Sequence, residues 1–158
     1  MSIIIRIKGG IGNQLFMYAA ARRLAFKNNQ ELLLDNISGF VNDIEYNRKY
    51  QLDHFNIPCR KLNSIEFKHL SSRTRRLFKK IINFFLPFEV KRYIKQEDVY
   101  FDSRILNLKF KHNLYLEGYF QSEDYFNDFD FQIKKDLEIY PPKNVLNNEM
   151  AIKIKKNF

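Results

Sequence analysis

Residues 8–14, Lys-Gly-Gly-Ile-Gly-Asn-Gln, have the types and spacing of an anion- or sugar-binding turn. Their glycines let the backbone turn sharply and approach a ligand, and the helix predicted to follow points unpaired amide N–H groups at the same place. The carboxamides of Asn13 and Gln14 add hydrogen-bonding groups that a turn does not need. We therefore predict that Gly10, Gly12, Asn13 and Gln14 bind substrate. A tight turn with a purely structural role is the alternative.

A second group of candidate residues follows Gly118, where another strand-to-helix turn is predicted. Tyr119 could stack on a sugar face while Gln121 and Ser122 meet hydroxyl groups, with Tyr119 as a core residue in the alternative interpretation. Asp35 ends a predicted strand at the same edge of the sheet. There it would either orient a sugar hydroxyl or cap the following loop.

The elements that position these residues follow from hydrophobic patterns. Residues 3–7 are apolar and β-branched, which favours a buried strand, and residues 14–27 have helical spacing. A strand at 31–34 completes a βαβ unit with parallel strands. Residues 93–100 are predicted to be extended and 113–117 to form a strand, with a helix beginning at Ser122. The predicted fold is α/β, a Rossmann-like parallel sheet with helices on both faces.

Positive charge is concentrated between residues 60 and 95 of a chain with 27 Lys plus Arg, 18 Asp plus Glu and a net charge of +9. Within it, Leu70, Leu77, Ile81 and Phe84 recur at helical spacing, which predicts a basic amphipathic helix at 64–85. We interpret it as a solvated basic face above an ordinary core. Peripheral attachment to an anionic membrane is the alternative, and no nucleic-acid-binding motif supports a nucleic-acid partner.

Composition indicates a globular protein with 45% hydrophobic residues. The single cysteine, Cys59, cannot form an internal disulfide, and no signal peptide or membrane-spanning run is evident. We expect a cytoplasmic protein, with a peripheral position at the inner membrane face as the alternative. No His or Cys cluster has metal-ligand spacing, so no metal is expected. Pro141-Pro142 predicts a boundary between a domain at 1–140 and a linker or helix at 141–158.

Two blocks resemble a known family. Residues 4–24, IIRIKGGIGNQLFMYAAARRL, resemble the amino terminus of the bacterial α-1,2-fucosyltransferases of glycosyltransferase family 11. Residues 115–126, YLEGYFQSEDYF, are similar to the LxGYWQSEKYF segment of that family. The blocks occur in the family's order, and the resemblance extends over residues 3–142.

The resemblance implies a GT-B-type arrangement of two Rossmann-like domains, of which this chain would be the amino-terminal, acceptor-side half. It further implies transfer of L-fucose from GDP-fucose to the 2-hydroxyl of a galactose, with inversion and without a metal or other cofactor. The acceptor would be a galactose-containing oligosaccharide or a lipid-linked glycan. The resemblance assigns no catalytic residue, and Asp35, Glu117, Glu123 and Asp124 are general-base candidates by position only.

The family's H-x-R-R-x-D donor-site motif does not occur in this sequence. We therefore expect a truncated chain that lacks the donor half and is inactive by itself. The alternative function is a non-catalytic module that binds glycan or an anionic membrane. A nucleotide-binding oxidoreductase is disfavoured because Leu15 stands where the third glycine of its fingerprint would be.

Overall fold

The sheet at the centre of the protein has five parallel strands in the order β3-β2-β1-β5-β4. A computed structural model describes residues 1–139 apart from 72, 97 and 99. The strands are β1 Ser2–Arg6, β2 Glu31–Asp35, β3 Arg60–Lys61, β4 Tyr93–Lys95 and β5 Leu114–Glu117. Since β1 lies between β2 and β5, the carboxyl ends of these three strands meet at one edge of the sheet. The predicted α/β fold is confirmed.

Helix α1, Ile11–Lys27, connects β1 to β2. It begins one turn before the predicted start, because Gly10 has an extended backbone and serves as the N-cap. The helix ends at Lys27, and Asn29 follows in the left-handed region with φ of 51°. In the sheet Ile3 pairs with Leu32 and Ile5 with Leu34, so the predicted parallel βαβ unit is present.

Helical segments cover both faces of the sheet, as predicted. On one face, α1 and α4 (Asp130–Asp136) pack with the alternate strand residues, and Ile3, Ile5, Leu24 and Ile133 belong to one core. On the other face, a smaller core is covered by partly buried aromatic and leucine side chains. Its members are Ile4, Leu33, Leu62, Tyr93 and Tyr115, with Phe67 and Leu70 packed against them.

The basic segment predicted as one helix over 64–85 consists of three pieces. They are helix α2 (Ser64–Glu66), a π-helical turn (Phe67–Ser71) and helix α3 (Arg73–Phe84). Asn63 accepts hydrogen bonds from the backbone N–H groups of Ile65 and Glu66, while the Glu66 side chain reaches back to Asn63 N, which forms a capping box.

The prediction that the apolar side of this segment packs on the core was wrong for α3. Its apolar side chains face outward, and Asn83 is the residue of α3 that is buried. Polar groups fix this orientation, because the Asn83 carboxamide donates to Tyr93 O and accepts from Arg92 N.

Other expectations differ in detail. The short edge strand β3 was not predicted, and only Tyr93–Lys95 of the predicted extended segment 93–100 forms a strand. After β5 the chain forms two 3₁₀ turns, Glu123–Tyr125 and Asn127–Phe129, and α4 begins at Asp130 rather than at Ser122. The predicted boundary near Pro141 and the predicted linker or helix at 141–158 lie outside the described residues. Among the helices of the described part, none has the length and apolar character to cross a membrane.

Candidate functional site

The glycine turn between β1 and α1 depends on Gly9. Its φ of +75° lies in the left-handed region, and a Cβ there would come within 2.9 Å of Asn13 Nδ2 and 3.3 Å of Tyr119 Cε1. At Gly10 and Gly12 an added Cβ would meet nothing within 4 Å. The close approach predicted for this run of glycines therefore occurs at Gly9, whereas Gly10 and Gly12 border open space.

The second predicted turn, after β5, lies directly beside the glycine turn. Gln121 Nε2 donates to Asn13 Oδ1 at 2.7 Å, which joins the two turns. The Lys8 ammonium lies 4.5 Å from the centre of the Tyr119 ring. Gln96 holds the second turn in place, because its Oε1 accepts from Tyr119 N at 2.9 Å and from Phe120 N at 2.8 Å.

A cavity of about 200 Å³ opens where these turns meet the ends of β1, β5 and β4. It is smaller than the roughly 300–1,000 Å³ typical of ligand pockets, and its size suits a single sugar ring better than a whole sugar nucleotide. The lining combines both charges, amides and an aromatic ring, contributed by Lys8, Lys95, Gln96, Asp98, Glu117, Gly118, Tyr119 and Gln121.

Two charged groups of this lining have shifted pKa values. Burial lowers the pKa of Lys8, although the negative charge of Glu117 partly offsets that effect. Burial would raise the pKa of Glu117, but a hydrogen bond from the Tyr93 hydroxyl and the positive charges of Arg6 and Lys8 outweigh it and lower that pKa. Arg6 Nη1 also donates to Glu117 Oε1 at 2.7 Å. Glu117 is thus a paired carboxylate and a weak base.

Gln14 is fully buried, and its carboxamide makes three hydrogen bonds inside the protein. Its Nε2 donates to Gly9 O at 2.8 Å and to Lys49 O at 2.9 Å, and its Oε1 accepts from Gln51 N at 2.9 Å. These bonds tie the glycine turn to the end of the long loop after β2. Substrate binding by Gln14 stays a prediction, while the geometry shows how this residue shapes the site.

Asp35 is also fully buried. One carboxylate oxygen accepts from Ser38 N at 2.9 Å and Ile37 N at 3.2 Å, and the other from Ser38 Oγ at 2.7 Å and the Tyr115 hydroxyl at 2.6 Å. The residue caps the loop that leaves β2, as the alternative interpretation expected. It is not among the residues that line the cavity, so a direct contact with a sugar stays a prediction.

The structure thus brings Asn13, Tyr119 and Gln121 together, and Tyr119 and Gln121 line the cavity. The other predicted residues Gly10, Gly12, Asn13 and Ser122 are not among its lining residues. Ser122 Oγ donates to Asp124 Oδ2 at 2.9 Å and accepts from Asp124 N at 3.3 Å, which caps the first 3₁₀ turn.

The set of predicted substrate-binding residues missed the charged and amide groups at the strand ends, namely Lys8, Lys95, Gln96, Asp98 and Glu117. The rule that ligands bind at the carboxyl ends of parallel strands would have indicated them, had the short strand β4 been located within its long predicted segment.

A larger open cleft of about 790 Å³ runs along the edge strand β4. It shares Lys95, Gln96 and Asp98 with the small cavity, so the two spaces adjoin. Lys80, Phe84, Lys91, Tyr100 and Arg104 are among its other lining residues. An extended ligand held in the small cavity could continue into this cleft.

Cysteine and metal chemistry receive no support within the described residues. Cys59 is a free, partly buried thiol, and burial raises its pKa to about 11. In that part of the chain no group of three or more His, Cys, Asp or Glu residues could hold a metal ion.

Comparison with known proteins relates the chain to glycosyltransferases. It is 28% identical over 150 residues to an alpha-1,2-colitosyltransferase of Escherichia coli, a match that includes 92% of this chain and 47% of that protein. The chain therefore spans about half the length of the curated relative it matches. No protein-family profile matches the chain, and no solved structure matches it significantly. The similarity supports a transferase of the glycosyltransferase type.

Proposed function

We propose that this chain forms the acceptor-side domain of a family 11 fucosyltransferase. The reaction would move L-fucose from GDP-fucose to the 2-hydroxyl of a galactose in a glycan, with inversion. The observation that carries the proposal is the hydrogen bond between Asn13 and Gln121, which joins the two family-like turns beside a sugar-sized cavity. In open parallel sheets, ligands bind at this edge.

The free groups of the site suit a sugar. Gln121 Nε2 donates a hydrogen bond to Asn13 Oδ1. The Asn13 Nδ2 donor and the Gln121 Oε1 acceptor can then each form a hydrogen bond with a ligand hydroxyl. The Tyr119 ring offers an apolar face, and the Lys8 ammonium above it offers a positive charge for a phosphate oxygen of the donor. The domain would therefore orient the acceptor and help to stabilise the diphosphate leaving group.

The relative's name supports the linkage more directly than the transferred sugar. It is an alpha-1,2-transferase, as in our proposal, but its sugar is colitose. Because the chain alone is expected to be inactive, this test uses the chain joined to a donor-binding domain. Parallel reactions with GDP-fucose and with nucleotide-activated colitose would separate the two, and colitose transfer in the absence of fucose transfer would overturn our choice of sugar. Because the proposed reaction uses no metal, we expect EDTA to leave its rate unchanged.

Binding of methyl β-galactoside, measured by calorimetry, tests the proposed site. We expect Asn13→Ala and Gln121→Ala each to weaken binding about tenfold, because each removes a side-chain group that would hydrogen-bond the sugar. Phe131→Ala is the matched control, since Phe131 is exposed on α4, away from the cavity. No binding to the natural chain, or equal binding by all variants, would overturn the proposal.

A second candidate function, glycan binding without transfer, is favoured by the state of Glu117. Among the four general-base candidates, Glu117 is the residue that lines the cavity. Its pairing with Arg6 and Tyr93 makes it a weak base. The chain alone is expected to be inactive under both proposals. Mass spectrometry of GDP-fucose and a galactoside incubated with the chain joined to a donor-binding domain therefore distinguishes the two functions. Galactoside binding without any fucosylated product would support the binding module.

A further inference from the structure

The outer surface of α3 is an apolar face exposed to solvent. Phe84 is 84% exposed, Phe85 80% and Ile81 65%. Leu77, Phe78 and Ile82 are also exposed and lie on the same side, at intervals of one, three and four residues. Exposed apolar patches of this kind usually mark a binding surface, because their contact with water is unfavourable.

The opposite side of α3 is polar and attached to the protein. The Asn83 carboxamide binds the backbone of Arg92 and Tyr93, and Lys79 Nζ donates to Leu70 O at 3.0 Å. Arg76 Nη1 donates to Ser71 O at 3.1 Å. An amphipathic helix normally turns its apolar side to the core. Here specific polar contacts hold the helix with that side outward.

Cations border the apolar face. Arg73 and Lys80 lie along one edge, Arg75 lies along the other, and all three are exposed. The sequence has no Asp or Glu between Phe67 and Phe88. A second copy of the chain would bring like charges together across this surface, whereas an anionic bilayer would match both the apolar stripe and its charged borders.

We propose that α3, with Phe85, docks this protein on the surface of a membrane that contains anionic lipids. The helix of 12 residues is about 18 Å long and would lie in the plane of the interface, because it is too short to cross the roughly 30 Å hydrocarbon core. Its apolar side chains would enter the boundary between headgroups and acyl chains, and the bordering cations would meet lipid phosphates. This proposal does not rest on the sugar site, but the two surfaces are adjacent, because Lys80 and Phe84 also line the cleft that adjoins the sugar cavity.

Co-sedimentation of the full chain with lipid vesicles tests the proposal. We expect binding to phosphatidylcholine vesicles that contain phosphatidylglycerol, weak binding to phosphatidylcholine alone, and loss of binding as salt rises. Phe84→Ser should weaken binding about tenfold because it removes a large apolar side chain from the contact. Phe131→Ser is the matched control, since Phe131 is 83% exposed on α4 and should not affect binding.

The charge contribution is tested separately. Replacing Arg73, Arg75 and Lys80 together by Gln should weaken binding roughly a hundredfold, at about fivefold for each cation. The control replaces three exposed lysines elsewhere, Lys109, Lys111 and Lys135, and should change binding much less. Circular dichroism verifies that each variant folds, and Phe85→Ser replaces Phe84→Ser if the latter does not.

Three results would overturn the proposal. One is failure of the natural chain to bind anionic vesicles. Another is that Phe84→Ser and Phe131→Ser reduce vesicle binding by the same factor. The third is that the chain does not bind vesicles but uses this face for another partner. That partner would be a second copy of the chain, if Phe84→Ser abolishes self-association, or duplex DNA.

Discussion

The Gly9→Ala substitution is the sharpest test of how the glycine turn is built. An alanine at φ of +75° costs about 1–2 kcal/mol for its left-handed backbone. Its Cβ would also lie 2.9 Å from Asn13 Nδ2, so the Asn13 side chain would have to move. We expect a loss of about 2 kcal/mol of unfolding free energy, or about 4–8 °C in Tm for a chain of this size. Galactoside affinity should fall as well, because Asn13 would leave Gln121.

Gly12→Ala is the matched control for stability. Gly12 lies in the first turn of α1, and an added Cβ would meet nothing within 4 Å, so alanine should keep or raise stability by up to about 1 kcal/mol. Urea unfolding followed by circular dichroism measures the stability of both variants, and calorimetry compares the galactoside affinity of Gly9→Ala with that of the natural chain. If Gly9→Ala were as stable as Gly12→Ala and bound galactoside normally, the account of the turn would be refuted.

Other predictions concern buried polar and ionisable groups. Gln14→Leu should cost about 2–4 kcal/mol in urea unfolding, because it leaves buried backbone groups unpaired, whereas Gln51→Leu at an exposed side chain should cost little. Burial lowers the pKa of Lys79 to about 8, so between pH 8 and 10.5 the unfolded chain binds more protons than the folded chain. The free energy that Lys79 costs the folded state should therefore decrease as the pH rises through that range. The stability advantage of Lys79→Met over the natural chain should therefore decrease by about 1 kcal/mol from pH 8 to 9.5, and a constant difference would contradict this. Since burial raises the Cys59 pKa to about 11, iodoacetamide at pH 8 should react much more slowly with the folded than with the unfolded chain, and equal rates would contradict the burial.

The sequence predicted the parts of the fold that depend on local patterns. The apolar runs around Ile4 and Leu33 and the helical spacing between them specify a βαβ unit by themselves. The edge strand Arg60–Lys61 could not be recognised because two charged residues carry no strand pattern. Residues 122–129 have capping side chains, but these stabilise 3₁₀ turns here rather than an α-helix.

The periodicity of Leu77, Ile81 and Phe84 predicted an apolar stripe but not the direction in which it faces. That direction depends on Asn83, whose partners in Arg92 and Tyr93 are brought near by the fold. Periodicity alone therefore cannot distinguish a core helix from a helix with an exposed binding face.

The sequence predicted where the candidate site lies, but it did not predict most of the side-chain contacts that form the site. That two turns at the carboxyl ends of parallel strands would meet follows from topology, and Asn13 and Gln121 do meet. The internal role of Gln14 was hidden, because its partners at Lys49 and Gln51 depend on the path of a long loop. The position of Lys8 over Tyr119 likewise requires the three-dimensional structure.

The most direct test of the sugar site is a map of backbone amide shifts by NMR as methyl β-galactoside is added to the isotope-labelled chain. The largest shifts should occur at Tyr119 and Gln121, which line the cavity, and at Gly9, Gly10 and Asn13 in the adjoining glycine turn. Residues of α3, on the other face of the sheet, should not shift. Absence of shifts, or shifts confined to residues away from the two turns, would contradict the claim that this crevice binds a sugar.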